Sequence, residues 1–135
     1  MSVVKVLDDA DLSAEAKAVF DDIRATRGGD FVNNFWRVLA HDPVLLKRIW
    51  ETLKATMAPG ALDPLTKELL YVAVSATNGC EYCVRSHTAA ARAKGMTEAQ
   101  LMEVMAVVGM ANQTNALAMS SQVPVDEIFM VAPDP

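Results

Sequence analysis

The stretch from Glu68 to His87, ELLYVAVSATNGCEYCVRSH, contains both cysteines of the chain and one of its two histidines. Asn78-Gly79 follows an apolar run and favours a left-handed helix end, so we expect two antiparallel helices joined at this turn. On the second helix, Cys80, Cys83 and His87 have the spacing i, i+3 and i+7, which places them on one face. Glu68 and His87 lie at comparable distances from the turn, and we expect their side chains to meet.

These four residues equip the chain for thiol redox chemistry, in which a cysteine reacts as thiolate. Cys80 falls near a helix N-terminus, where unpaired N–H groups stabilise negative charge. His87 lies one turn after Cys83 and can accept its proton, while Glu68 can orient His87 and stabilise its cation. The helix terminus favours Cys80 as the attacking thiol, and the histidine favours Cys83. We choose Cys83, because a positioned base also serves the departing oxygen as an acid.

The reaction predicted from these residues is the reduction of a small hydroperoxide. Cys83 attacks an oxygen of the peroxide and becomes a sulfenic acid, and Cys80 then displaces water to form a disulfide. An external dithiol reduces that disulfide. The cycle requires no metal ion and no organic cofactor.

The composition indicates a folded protein and disfavours two classes of partner. The length of 135 residues predicts a single domain over residues 1–135, and a hydrophobic content of 52% argues against disorder. The formal net charge of −5 and a pI near 4.9 disfavour nucleic acid or an anionic membrane as partner. The apolar runs are too short to cross a bilayer and the start does not resemble a signal peptide, so we expect a soluble, cytoplasmic protein.

Apolar periodicity and helix-end signals predict an all-α fold of about six helices. Asp42-Pro43 and Asp63-Pro64 each combine an N-cap with a first-turn proline, and Thr97 to Gln100 form a capping box. The expected helices cover residues 13–27, 32–40, 43–58, 64–78, 80–95 and 97–119, followed by a tail that packs as an extended arm. Several helices are apolar over too much of their surface for a small monomer to cover, so we expect a homo-oligomer.

The spacing Glu68, eleven residues, Cys80-x-x-Cys83, three residues, His87 resembles the signature of the AhpD-like alkyl hydroperoxidases of the carboxymuconolactone decarboxylase superfamily. The resemblance implies an all-α fold, trimers or hexamers, and reduction by a lipoyl group or a thioredoxin-like protein. It also implies that Cys83 is the peroxide-reactive cysteine, Cys80 the resolving one, and Glu68 and His87 the proton relay. Tyr82 stands where the best-known hydroperoxidase has a histidine, and it can support the site as a hydrogen-bond donor.

Other interpretations of the same residues predict different behaviour. The dithiol of a non-enzymatic oligomeric module would be a structural lock or a redox sensor. His87 and Glu68 could instead act as acid and base on a small carbonyl compound, although the decarboxylase branch of the superfamily generally lacks the cysteine pair. A zinc site is disfavoured, because ligands on one helical turn are crowded for tetrahedral binding. We expect His41 to be a helix C-terminal residue rather than a catalytic one.

Overall fold

Six α-helices make up most of the computed structural model, which describes residues 1–130. Short 3₁₀ turns precede and follow them, at Asp9–Asp11 and Glu127–Phe129, and no β-strand occurs within the described residues. The all-α class and the helix number expected from the sequence are therefore confirmed. The helices are α1 (Ala14–Arg27), α2 (Asn34–Leu39), α3 (Pro43–Met57), α4 (Pro64–Asn78), α5 (Glu81–Ala93) and α6 (Glu98–Ser121).

Contacts along the chain group the helices into two units, Met1–Ala58 and a second unit that begins at Pro59. The first unit contains α1 to α3, and the second contains α4 to α6. Each unit is described by itself below. The expectation of a single domain over residues 1–135 stays a prediction.

The first unit is built around a tryptophan pair. Trp36 of α2 and Trp50 of α3 are both buried and pack edge to face, with ring centroids 5.4 Å apart. The indole N–H of Trp50 donates a 2.6 Å hydrogen bond to Asp22 of α1, which gives a buried polar group its partner. The remaining core consists of small and aliphatic side chains and one further ring: Ala16, Val19, Phe20, Ile23, Val32, Ala40 and Leu46.

The second unit begins with the antiparallel pair α4 and α5. The Asp63 carboxylate caps α4 by accepting the N–H of Thr66 at 3.0 Å, and Pro64 occupies the first turn. The helix ends at Gly79, whose φ of +71° lies in the left-handed region. Cys80 is the N-cap of α5, so the chain reverses within two residues. The turn predicted from Asn78-Gly79 is present.

The third helix of this unit, α6, is exposed along most of its length. It begins with the predicted capping box, in which the side chains of Thr97 and Gln100 bond each other's backbone N–H groups. Leu101 is its buried residue and packs with Val72, Ala91 and Met96. Six large apolar side chains of α6 face solvent in this chain: Met102, Met105, Val107, Met110, Leu117 and Met119.

The tail differs from the extended packed arm expected from the sequence. Residues 122–130 are exposed and carry only the turn Glu127–Phe129, because no neighbouring element of the second unit covers their apolar side chains. Val131, Pro133 and Pro135 of the expected arm lie outside the described residues. Within residues 1–130, no helix combines the length and apolar character that a membrane span requires.

Shortening Leu101 tests whether the small core of the second unit holds α6 in place. Leu101 is 5% exposed, and Leu101→Ala should lower the unfolding free energy by about 2–5 kcal/mol, since it leaves a cavity beside Val72 and Ala91. Leu62→Ala is the matched control: Leu62 is 47% exposed, and its loss should cost under about 1 kcal/mol. Urea unfolding followed by circular dichroism measures both, and equal losses would contradict this description of the core.

Candidate active site

The two cysteines form a disulfide at the start of α5. The Cα atoms of Cys80 and Cys83 are 5.3 Å apart, and the N–H of Cys83 donates to the sulfur of Cys80 at 3.2 Å. Cys80 therefore occupies the N-cap with its own sulfur, in a place where serine or aspartate is usual. Both side chains are half-buried. Both cysteines of the pair belong to the first turn of one helix, α5.

A buried carboxylate lies in the second turn of the preceding helix, α4. Glu68 is 5% exposed, and its Oε2 accepts a 2.7 Å hydrogen bond from Nδ1 of His87. Its other oxygen, Oε1, accepts a 3.2 Å hydrogen bond from Nζ of Lys94. Burial by itself raises the pKa of Glu68, but the bonds from His87 and Lys94 together outweigh it and hold the pKa below its ordinary value. Glu68 is thus an ionised acceptor at neutral pH.

The bond to Glu68 determines the tautomer of His87. An ionised carboxylate has no proton to give, so the proton of this bond sits on Nδ1 of the histidine. The other ring nitrogen, Nε2, is then an acceptor in the neutral ring. His87 follows Cys83 by one turn of α5, on the same face of the helix. The arrangement gives a base oriented by a carboxylate, one turn from a cysteine sulfur.

A tyrosine covers the face of the imidazole. The rings of Tyr71 on α4 and His87 stack with centroids 3.6 Å apart and planes inclined by 19°. Stacking on Tyr71 fixes the plane of the imidazole, and the hydrogen bond to Glu68 fixes the direction of Nδ1 within that plane. Together they leave His87 one orientation. Tyr71 and Lys94 were not predicted from the sequence, although each has a signal: Tyr71 lies three residues after Glu68, and Lys94 lies two turns after His87.

The remaining predicted residues lie apart from this group or at its edge. Tyr82 precedes Cys83 and is 43% exposed. His41 lies in the first unit, just after α2, where its Nε2 contacts the backbone oxygen of Lys5 at 2.9 Å. This position agrees with the expected place of His41 at a helix C-terminus. Within residues 1–130, no cluster of three or more histidine, cysteine, aspartate or glutamate side chains is arranged as a metal site.

An open hollow of about 610 Å³ lies on the side of α5 that faces α6. Cys80 lines it, whereas Cys83 and His87 do not. Its other walls include Ser75 of α4, Val84 of α5, and Leu101 and Met105 of α6. The two sulfurs thus differ in surroundings: that of Cys80 borders an open hollow with both apolar and charged walls, whereas that of Cys83 lies one turn from the oriented imidazole.

Comparison with known proteins identifies the family of the chain. The model of the carboxymuconolactone decarboxylase family matches residues 43–124, which is more than half of the chain, and the chain belongs to that family. A crystal structure described as the alkylhydroperoxidase AhpD core of Rhodospirillum rubrum superposes with a TM-score of 0.94 at 64% identity, covering 98% of this chain and 99% of that one. The protein is therefore an AhpD-like member of the family, as the resemblance implied.

Two curated relatives match shorter regions. "Uncharacterized protein 4 in cox locus" of Paracoccus denitrificans is 42% identical over 52 residues, which cover 38% of this chain and 47% of that protein. The alkyl hydroperoxide reductase AhpD of Azorhizobium caulinodans is 32% identical over 96 residues, covering 67% of this chain and 51% of the relative. The chain thus spans about half the length of these curated relatives.

The ion pairs of Glu68 should make stability depend on pH in the acid range. The pKa of Glu68 is lower in the folded chain than its ordinary value of 4.5, so its pairing stabilises the fold above that pH and is lost as the pH falls through the folded pKa. The difference in unfolding free energy between wild type and Glu68→Gln should therefore shrink as the pH falls below 4.5.

Urea unfolding at several pH values measures this difference. Glu103→Gln, which changes an exposed acid on α6, is the matched control and should show no such trend. A wild-type advantage over Glu68→Gln that stays constant down to pH 3 would contradict the assignment of Glu68 as a buried, ionised partner of His87 and Lys94.

Proposed function

We propose that this protein is a thiol-dependent peroxidase that reduces a hydroperoxide through Cys83 and Cys80, with His87 and Glu68 as a proton relay. The observation that carries the proposal is the 2.7 Å bond from His87 Nδ1 to the buried Glu68, which presents Nε2 as a base one turn from Cys83. Membership of an AhpD-like family supports it. A passive pair of cysteines would not need an oriented imidazole beside it.

In the first step, the thiol of Cys83 gives its proton to Nε2 of His87. The thiolate attacks one oxygen of the hydroperoxide, so that an S–O bond forms and the O–O bond breaks. The departing alkoxide takes the proton from His87 and leaves as an alcohol. Glu68 stabilises the imidazolium between these two transfers, as the carboxylate of a catalytic triad does. The sulfur has lost two electrons, and the peroxide has gained them.

In the second step, the sulfur of Cys80 attacks the sulfenic acid of Cys83. An S–S bond forms, the S–O bond breaks, and the oxygen leaves as water with the proton of the Cys80 thiol. The Cα atoms are 5.3 Å apart in the closed form, which lies within the range usual for disulfides. The disulfide described here is then the oxidised end of the cycle.

An external dithiol closes the cycle by reducing the disulfide. Cys80 borders the open hollow, so an incoming thiolate reaches its sulfur most readily, and Cys83 leaves as a thiolate beside His87. The second thiol of the reductant then resolves the mixed disulfide. A lipoyl group or a thioredoxin-like protein would supply this chemistry. We place the protein in the reducing cytoplasm, where such donors keep the pair cycling.

The same proposal includes a homo-oligomer, either a trimer or a hexamer. The apolar side chains of α6 are too numerous for a monomer to leave in water, and α6 also forms one wall of the hollow beside Cys80. A second copy of the chain carries the same exposed apolar side chains on α6, and the two copies can cover one another there.

A redox sensor without turnover is the second candidate. It is favoured by the hollow, since Cys80 and the α6 residues Leu101 and Met105 share its wall. Opening the disulfide next to α6 could then change how subunits assemble. The sensor and the peroxidase differ in rate: a sensor needs no faster reaction with peroxide than a free thiol has.

Replacing each cysteine separately should show which sulfur reacts. Cys80→Ser should react with cumene hydroperoxide once, leaving a sulfenic acid on Cys83, because the resolving thiol is missing. Cys83→Ser should react no faster than a free thiol. Mass spectrometry after dimedone trapping measures both outcomes. A sulfenic acid on Cys80, formed rapidly in Cys83→Ser, would reverse the assignment, and slow reaction of the wild type coupled to a change in assembly size would favour the sensor.

The two histidines provide a matched pair for the relay. His87→Asn should slow peroxide-dependent thiol loss by about 10²–10⁴-fold, because the positioned base is removed. His41→Asn removes the histidine of the first unit and should leave the rate within about twofold of wild type. Stopped-flow thiol titration measures both rates. Activity that survives replacement of both cysteines would instead support acid–base chemistry on a carbonyl compound.

The assembly can be tested by placing charges on α6. Wild type should sediment as a homo-oligomer, and the double variant Met110→Glu, Leu117→Glu should sediment as a smaller species, because a charged face cannot be buried without a partner. Glu103→Gln on the same helix should keep the wild-type size. A wild type that sediments as a monomer at micromolar concentration would contradict the oligomer.

A further inference from the structure

The carboxylate of Glu68 is shared by two groups that can carry positive charge. His87 bonds Oε2 and Lys94 bonds Oε1, at 2.7 Å and 3.2 Å. The Glu68 side chain is 7% exposed, while that of Lys94 is 39% exposed. Lys94 follows the last residue of α5 and its own N–H bonds the carbonyl of Ala90, so its backbone is held while its side chain reaches back along the helix. It lies at the solvent side of the buried pair.

The other ionisable groups around this site have different partners or carry no charge at neutral pH. Glu98, in the first turn of α6, pairs with Arg92 at 3.0 Å. On α4, Lys67 places its ammonium beside Gly60, and Tyr71 stacks on His87.

Glu81 and Arg85, in the first turns of α5, pair with each other at 2.8 Å. Glu103 of α6 is exposed, and Cys83 is disulfide-bonded in this form of the protein. Among the charged groups of α4 to α6, Lys94 is thus the cation that bonds the same carboxylate as the imidazole.

This sharing has two physical consequences. The ammonium of Lys94 offsets the cost of removing the Glu68 carboxylate from water. Without such a partner, burial would favour the protonated form of Glu68. The same positive charge opposes a second positive charge on the imidazole, since like charges at close range disfavour each other. Without Lys94, the whole charge of Glu68 would act on His87 and favour its cation.

We propose that Lys94 is a positioning residue for the relay, which keeps Glu68 ionised and aimed at His87 while preventing the imidazole from being held as a cation at neutral pH. The effect of Lys94 on the catalytic rate rests on the proposed function, whereas its effect on the charge of His87 does not. A histidine that is already a cation cannot take the proton of Cys83. Lys94 therefore keeps the base of the relay available in the pH range where a cytoplasmic enzyme works.

Removing the charge of Lys94 tests this directly. In reduced Lys94→Met, the titration of the His87 imidazole followed by NMR should move to higher pH by on the order of one unit. The acid limb of the pH–rate profile with cumene hydroperoxide should move in the same direction, since Cys83 and His87 titrate as a coupled pair. Lys94→Arg keeps the charge and should restore both profiles to within about 0.3 unit of wild type.

Arg92→Met is the matched control. It removes one positive charge from the same end of α5, but its partner is Glu98 rather than Glu68, so the His87 titration should stay near that of wild type. Lys94→Gln serves as a second neutral variant if Lys94→Met folds poorly, as judged by circular dichroism. A role confined to stability would lower the melting temperature without moving the titration.

The outcomes separate this inference from the proposed function. If the wild type reacts with peroxide no faster than a free thiol but Lys94→Met still moves the His87 titration upward, the peroxidase proposal fails and the role of Lys94 stands. If the wild type reacts rapidly and both neutral variants leave the titration unmoved or move it downward, the role of Lys94 is overturned. An equal shift in Arg92→Met would also overturn it, because the effect would then be one of net charge.

Discussion

The buried charge of Glu68 is the constraint on which the site depends. An ionised carboxylate removed from water is costly unless donors surround it, and here both donors come from α5 and its C-cap rather than from α4 itself. The interaction therefore ties the two helices together at a point far from their connecting turn. It also sets the orientation of His87, because the carboxylate accepts from Nδ1 and leaves Nε2 for other chemistry.

The turn at the other end of this helix pair has a complementary role. Gly79 adopts a left-handed conformation that L-residues with side chains avoid, and it lets α5 begin one residue later, at the N-cap Cys80. The two sulfurs are thereby held at a helix N-terminus, where negative charge is favoured. Fixed at the turn by the backbone and farther along by Glu68, α5 presents Cys83 and His87 on one face with little freedom to separate.

The two sulfurs of the disulfide have different neighbours. Cys83 lies one turn before the oriented imidazole of His87, which stacks on Tyr71, whereas Cys80 borders the hollow that α4, α5 and α6 line together. In the proposed cycle, the peroxide would react beside His87 and the reductant would reach the disulfide through the hollow. The apolar surface of α6 adds a reason for a second subunit to lie near the hollow, so access to Cys80 and assembly would be connected.

Local signals in the sequence were sufficient to predict the helices and four residues of the site, which are Glu68, Cys80, Cys83 and His87. Caps such as Asp63 and Thr97, the glycine at position 79 and the apolar periodicity act within a few residues of chain, so the helices and their limits could be predicted from the sequence. The spacing of Cys80, Cys83 and His87 depends only on helical repeat. Comparable distances of Glu68 and His87 from one turn then predicted their meeting.

Tertiary packing decided the rest, because burial and approach between helices depend on side chains far apart in sequence. Lys94 is 26 residues from the carboxylate that it bonds, and its spacing of two turns from His87 does not by itself distinguish it from an ordinary cation at a helix end. Packing between helices also decides that Tyr71 stacks on His87 and that the hollow reaches Cys80 but not Cys83. Helix repeat and end signals thus determined which groups of this protein share a face, whereas the packing of α4, α5 and α6 determined which of them are buried, charged and accessible.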